Sequence, residues 1–359
     1  MIAKKIKLEN FRNYQKEEVN FSPDINIIYG KNGMGKTNLI EALYSFAYSR
    51  SFRAKTREFL RHGCDTAKIE LLFEAKGREQ SADIIFTKDN KKKIRVNEIN
   101  ITKTSDLLGK FICVLFTPDE LSLVKDGPDK RRKFMDTSII SLRPSYFSAL
   151  SSYMTCLKQK NALLKTGNFS MLDIWDEKLS EYGASIAHLR QSYIERLSDK
   201  AKIAQNDISG GKEDLEIIYS HSYKIGENKI KTKEFILEKI LESRKREIEN
   251  RMCLIGPHRD DLIFKINSFN AKSYASQGQQ RSIVLSMKTA QMEIIKDEEG
   301  EYPQLLLDDV MSELDSERRD YFTEKIMGKQ VVISCTDLSN LNFKKEANLI
   351  LIKDGKVCM

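Results

Sequence analysis

Residues 30–37 read Gly30-Lys31-Asn32-Gly33-Met34-Gly35-Lys36-Thr37, residue types suited to holding phosphate. They fill the pattern G-x-x-x-x-G-K-[ST] at Gly30, Gly35, Lys36 and Thr37. Glycines let the backbone curl until several N–H groups face one anion, and a helix starting there adds positive potential. The octapeptide is therefore expected to cradle ATP. Lys36 reaches the β- and γ-phosphates, and the Thr37 hydroxyl ligands Mg2+.

Two further groups can complete such a site. Leu305-Leu306-Leu307-Asp308-Asp309 is an apolar run ending in two acids. Asp308 is placed to hold the Mg2+ that bridges the β- and γ-phosphates, and Asp309 to orient the attacking water. Ser312-Glu313-Leu314-Asp315 follows closely. Upstream, Tyr274-Ala275-Ser276-Gln277-Gly278-Gln279-Gln280 opens a helical pattern that continues through Ile283, Val284 and Met287. Serine at a helix start beside glycine makes a second anion-binding N-terminus.

Elements must hold these groups in place. Ile25-Asn26-Ile27-Ile28-Tyr29 reads as a strand feeding the glycine turn, and residues 38–46 as the first turns of a helix. Two short strands precede it, near Ile6 to Phe11 and Val19 to Phe21. Residues 68–101 alternate again, with Lys88 to Lys93 as a hairpin tip. Phe111 to Phe116 is an apolar run of buried-strand length. After Thr117-Pro118 the period changes. Tyr146, Leu150, Tyr153 and Leu157, then Trp175, Leu179, Tyr182, Ile186, Leu189 and Tyr193, recur at helical spacing on either side of Gly167-Asn168. A charged helix covers 235–251. Strands return at 261–266, 304–307, 330–334 and 349–353. The layout is an α/β core at 1–117 plus 254–359, with a mainly helical insertion at 118–253.

The chain has 359 residues, 40% hydrophobic and 31% charged, enough for a large core and two domains. No apolar run approaches the ~20 residues of a membrane span, and Met1-Ile-Ala-Lys-Lys leads into no signal sequence, so a cytoplasmic protein with no membrane partner is expected. Six scattered cysteines without a C-x-x-C pair argue against a zinc site or a disulfide framework. The net charge of +8 suits a polyanionic partner without proving one.

The order of these motifs resembles the ABC-type ATPases: a head with a mixed sheet and P-loop helix, here carrying an inserted helical lid domain. Ser276-Gln277-Gly278-Gln279-Gln280 looks like their signature motif, and the resemblance implies that Ser276, Gly278 and Gln279 of one head bind the nucleotide of another. Ser312 to Asp315 looks like the D-loop. Asn32 is typical of the subgroup containing SMC proteins. Leu8-Glu9-Asn10-Phe11-Arg12-Asn13-Tyr14 resembles the segment that brings a basic residue to the nucleotide there, which adds Arg12 and Asn13 to the expected ATP contacts.

Within the subgroup the chain is most similar to the RecF family. The similarity is carried by Ser49-Arg50-Ser51-Phe52-Arg53 with Glu58 and His62-Gly63, by Thr117-Pro118-Asp119-Glu120 with Gly127-Pro128 and Arg131-Arg132, by Gly256-Pro257-His258-Arg259-Asp260, and by Leu307 to Asp315. It implies an ATP-dependent homodimeric clamp on DNA at gaps and single-strand/double-strand junctions. It also implies work with RecR and RecO to help RecA load in recombinational repair.

Two departures from the general ABC pattern point to slow ATP hydrolysis. Asp309 stands where glutamate is usual, and Thr336 where a histidine usually contacts the γ-phosphate. The equivalent of the Q-loop falls at Thr117 to Glu120. Basic residues cluster at Arg50, Arg53, Lys55, Arg57 and Arg61, at Lys91 to Lys93 with Arg95, and at Lys125 with Lys130 to Lys133. For the last cluster, internal salt bridging and DNA contact are equally open. His258-Arg259-Asp260 reads as a structural element rather than a catalytic one. Two rival classes remain. The nucleotide-binding subunit of a membrane transporter would normally keep the switch histidine. A P-loop kinase for a small molecule would not need the segments at 276–280 and 312–315.

Overall fold

The computed structural model describes residues 1–338 and 347–358. Alternating apolar residues at the start form β1 (Ile2–Phe11) and β2 (Tyr14–Asn20), and the β-branched run becomes β3 (Ile25–Tyr29). The glycine turn leads into α1 (Lys36–Tyr48), buried along most of its length. Then come β4 (Thr66–Ala75), β5 (Arg78–Thr87), β6 (Lys92–Val96) and β7 (Ile99–Ile101), followed by the buried β8 (Cys113–Phe116).

Three helices follow: α2 (Pro128–Leu142), α3 (Pro144–Thr166) and α4 (Leu172–Ser209). Proline opens the first two, and Gly167 ends α3 in the left-handed conformation that glycine tolerates. Next are β9 (Leu215–Ser220), α5 (Lys229–Asn250), β10 (Asp261–Ile266), β11 (Phe269–Asn270) and the single-turn α6 (Ala271–Tyr274). The chain continues through α7 (Gln277–Glu299), β12 (Gln304–Asp308), α8 (Ser316–Ile326), β13 (Val331–Cys335), β14 (Asn348–Lys353) and β15 (Lys356–Cys358).

These elements form two compact units: Met1–Ser122 with Val284–Met359, and Leu123–Ile283. The first contains two six-stranded sheets. One is antiparallel, in the order β2-β1-β4-β5-β6-β7. The other runs β15-β14-β3-β13-β12-β8, parallel except for the edge strand β15. Every residue of β12 and of β13 is buried, as expected for central parallel strands. In this sheet the residues leading into the glycine turn and the acids after Leu307 leave from strand C-terminal ends. That edge is where open α/β sheets place ligands.

The second unit packs α3 against α4 and α4 against α5, with the expected stripe buried at Tyr146, Tyr153, Leu157, Leu179, Ile186 and Tyr193. It also holds a three-stranded antiparallel sheet, β11-β10-β9. The sequence pattern places the return to the core at 254. The unit instead continues to Ile283, because β10 pairs with β9 from Asp261↔Ser220 to Ile266↔Leu215 and not with a strand of the first unit. At its centre lies Arg190, only 1% exposed. It donates to Tyr146 Oη, the Pro257 carbonyl, Asp136 and Asp260, and Asp260 also accepts from Tyr219 and Tyr223. The segment at 256–260 is therefore a structural hub, as its sequence suggests.

Candidate nucleotide-binding site

The loop at 30–35 needs its glycines. Gly30 has φ +146° and Gly35 φ +121°, and a Cβ on Gly30 would run into the Ile352 carbonyl. Lys31, Asn32 and Gly33 are exposed, and Met34 is half-buried. Gly35 caps α1 without any side-chain hydrogen bond, so the first N–H groups of the helix keep their capacity to bind an anion. Lys36 is 4% exposed and curls back over the loop, with Nζ donating to the carbonyls of Gly30 (2.8 Å) and Lys31 (3.2 Å). A buried ammonium ion paired only with carbonyls is poised for a stronger, charged acceptor.

Beside it, Thr37 Oγ1 donates to Asp308 Oδ1 at 3.0 Å, and Ser334 Oγ donates to the same oxygen at 2.7 Å. Thr37 thus spends its proton on the carboxylate and keeps its lone pairs. Asp308 Oδ2 takes no hydrogen bond among the described residues. Burial pushes the Asp308 carboxyl upward in pKa, with the two hydroxyl donors opposing that. A hydroxyl lone pair and a free carboxylate oxygen are hard donors, the kind Mg2+ prefers. The residues present therefore fit that ion.

Asp309 follows in the left-handed region at φ 52°, its N–H bonded to Ser334 Oγ at 2.9 Å. Ser312 Oγ donates to the Asp309 carbonyl, and Asp315 caps α8 by accepting from the Arg318 N–H at 3.0 Å. Thr336, just past β13, is exposed.

Arg12 and Asn13 stand behind the loop and brace it. Asn13 Nδ2 donates to the Met34 carbonyl (2.8 Å), its Oδ1 accepts from Asn38, and Tyr14 Oη donates to the Gly35 carbonyl. Arg12 makes a two-pronged pair with Glu41, 2.8 Å on each arm. Glu41 is fully buried in α1 and also accepts from Ser51 and Arg53. Burial alone would raise its pKa, but these donors outweigh it and hold the carboxyl below the usual range. The turn between β14 and β15 closes over the loop, where the Gly355 N–H donates to the Met34 carbonyl at 3.0 Å. Sequence reading missed Glu41 and Ser334. The only signal was a carboxylate inside an apolar helical stretch and a hydroxyl inside an apolar strand.

In the second unit, Ser276 is exposed at the start of α7. Its Oγ accepts from the Gln279 N–H (3.2 Å), and Gln279 Oε1 accepts from the Ser276 N–H (2.9 Å), a reciprocal capping box. Gln279 is anchored in turn on Glu213. Gly278, the second residue of the helix, is half-buried. At the Q-loop candidate, Lys288 Nζ donates to the Leu115 carbonyl and to Glu120 Oε1 at 2.7 Å, so the half-buried Glu120 is committed to an ion pair.

Comparison with known proteins gives the class first. The family described as RecF/RecN/SMC N terminal domain matches residues 2–354, and an SMC head bound to the C-winged helix domain of ScpA shares the fold, with a TM-score of 0.58 at 17% identity. The chain belongs to the RecF family of DNA replication and repair proteins. It is 38% identical to RecF of Clostridium tetani and 39% identical to RecF of Clostridium acetobutylicum, in each case over 99% of both chains. A solved structure of the recombination mediator protein RecF-ATPrS in the RecFOR pathway superposes with a TM-score of 0.92 at 34% identity, covering 99% of this chain and 97% of that one. Among the described residues no helix is long and apolar enough to cross a membrane.

Proposed function

We propose that this chain is an ATP-dependent DNA clamp of recombinational repair and replication-fork maintenance, working in the cytoplasm. The observation that carries the reading is the pairing of Thr37 with Asp308 beneath a loop whose lysine is held only by carbonyls. Support comes from the solved relative described as RecF-ATP in the RecFOR pathway, with a TM-score of 0.90. Lys36 exchanges its loop carbonyls for the β- and γ-phosphates of ATP, and the N–H groups of residues 31–37 cradle them. Thr37 and Asp308 hold Mg2+, which when bound neutralises charge developing on the β–γ bridging oxygen. Asp309 orients a water for in-line attack. As the water oxygen bonds to the γ-phosphorus, the bond to the bridging oxygen breaks, ADP leaves with that electron pair, and one of the water's protons passes to a phosphate oxygen, giving inorganic phosphate. Asp309 is a short acid and Thr336 carries no charge, so turnover stays well below about 1 s⁻¹ and rises with DNA.

Ser276, Gly278 and Gln279 of one chain take the γ-phosphate held by the partner's loop, so ATP joins two heads and ADP does not. Closed heads present merged basic surfaces to the backbone of gapped or junction DNA. Recognition is of backbone and shape, because no element of the chain resembles a base reader. RecR and RecO are the partners of this state, and RecA loading its outcome. The test is size-exclusion chromatography with ATP or ADP, with and without gapped DNA. A dimer with ATP alone, reinforced by DNA, is expected. Equal dimerisation with both nucleotides would sink the reading.

A further inference from the structure

Ser334 lies in the middle of the parallel sheet, fully buried, opposite Asp308 in the β12–β13 ladder. Neighbouring residues of parallel strands in register point to the same face, so the hydroxyl arrives beside the carboxylate. A hydroxyl has one proton and two lone pairs. Here the proton goes to Asp308 Oδ1 at 2.7 Å and a lone pair takes the Asp309 N–H at 2.9 Å. One side chain thus touches both acids, through the side chain of the first and the backbone of the second.

The second contact has a particular burden. At Asp309 the chain leaves the strand ladder and turns left-handed, at φ 52° and ψ 12°. Left-handed backbone is uncommon outside glycine, and an N–H turned out of the ladder without a partner would add to its cost. Ser334 supplies the partner, and the turn sets where the Asp309 carboxylate points. Among the described residues Asp308 Oδ2 has no donor while Oδ1 is held by two hydroxyls, so the carboxylate has one oriented face.

We propose that Ser334 is a positioning residue that sets metal affinity and water orientation together, by fixing the Asp308 carboxylate and the Asp309 turn with a single hydroxyl. The inference rests on the assignment of Asp308 and Asp309 to those two tasks. Two consequences separate it from a packing role. Removing the hydroxyl should weaken the Mg2+ dependence of nucleotide binding, which reads Asp308, and lower kcat, which reads Asp309. Nucleotide affinity in the absence of divalent ions depends on Lys36 and the loop N–H groups, and should not move.

The experiment compares wild type, Ser334→Ala and Ser334→Thr. Fluorescent nucleotide binding is titrated with Mg2+ and repeated in EDTA, and single-site turnover is measured with DNA present. For Ser334→Ala the expected result is a Mg2+ affinity and a kcat each reduced by about 10–100-fold, the usual cost of removing a group that orients a metal ligand. Affinity in EDTA should stay close to wild type, while the thermal midpoint falls modestly because the Asp309 N–H loses its acceptor. Ser334→Thr keeps the hydroxyl and should recover most of both reductions. The proposal is overturned if Ser334→Ala matches wild type within twofold in both measurements, or if its affinity in EDTA falls in parallel. It is also overturned if Ser334→Thr is no better than alanine while remaining folded. If wild-type binding itself shows no Mg2+ dependence, it is the assignment of Asp308 that fails, and not the role of Ser334.

Discussion

Lys36 has two carbonyls for company and almost no contact with solvent, so its substitution removes the one cation buried in the loop. Lys36→Ala is expected to weaken nucleotide binding by about 10–100-fold, the worth of a charge-assisted hydrogen bond, as read by fluorescent nucleotide titration. Asp309→Asn keeps the size of the side chain and should bind ATP normally while turnover drops by about 10²–10⁴-fold and ATP-bound dimers persist. A different residue predicts pH behaviour. His258 Nε2 faces the Cys253 carbonyl (3.1 Å), which can only accept, so Nε2 carries the proton and Nδ1 receives the Tyr153 hydroxyl at 2.6 Å. Burial, with Arg259, Arg132 and Lys160 nearby, lowers the His258 pKa to about 4 against the accepting Cys253 carbonyl. The neutral form is the folded form. Above pH 6.5 both folded and unfolded states are neutral. Between 6.5 and 4 only the unfolded chain takes the proton, so stability falls as pH falls, by on the order of 2–3 kcal/mol. Denaturant melts across that window should show a slope that His258→Gln flattens, since glutamine can serve both partners without titrating.

At the scale of elements, the loop was legible because everything it needs is contiguous: strand, glycines, helix. The pairing of Thr37 with Asp308 was legible only as chemistry, since strand order and register bring together residues far apart in the chain. Ser334 and Glu41 were hidden for the same reason, each looking like an ordinary polar residue until its neighbours were known. β9 and α8 escaped the periodicity reading. The first is six residues between long helices, and the second buries little beyond Phe322 and Ile326. No pattern in β10 could say which sheet it would join. The helix start at Ser276, by contrast, carries its capping box in the sequence itself, and it yields a direct prediction. Ser276→Arg should abolish ATP-dependent dimers in size-exclusion chromatography while monomer nucleotide affinity stays within about twofold, because the capping box is remote in sequence from the loop that holds the phosphates.

For the whole molecule, the cations sort into two kinds. Arg131, open between salt bridging and DNA contact on sequence alone, belongs to the second unit's interior, and Arg132 is half-buried. Arg131 is 3% exposed, paired with Asp261 at 2.6 and 2.9 Å and with three carbonyls around 123–126, and Arg132 donates to the Asp260 carbonyl. Arg131→Gln should therefore destabilise the protein by about 1–3 kcal/mol in denaturant melts, the cost of leaving the Asp261 carboxylate and the buried carbonyls short of donors. Lys92 likewise bonds inward to Ser49, whereas Lys91 makes a solvent-exposed pair with Asp89. Lys55 and Arg57 are exposed and make no ion pair among the described residues. Their joint replacement by glutamine should leave stability unchanged and reduce the log–log salt slope of duplex binding by about 0.9 for each phosphate no longer neutralised, equally for two unrelated sequences. A salt titration with ATP present decides it, and an unchanged slope would remove this pair from the DNA face.

The closure of the P-loop by the turn between β14 and β15 also has a meaning in time. Met34 is among the first residues to leave a ribosome, yet its carbonyl partner at Gly355 and the neighbouring contact from Asp354 arrive 320 residues later. At about 5–20 residues per second, that delay is roughly 16–64 s. Throughout it, the nascent chain carries the glycine loop without the clasp that braces it. The final shape of the loop thus waits on translation reaching those residues.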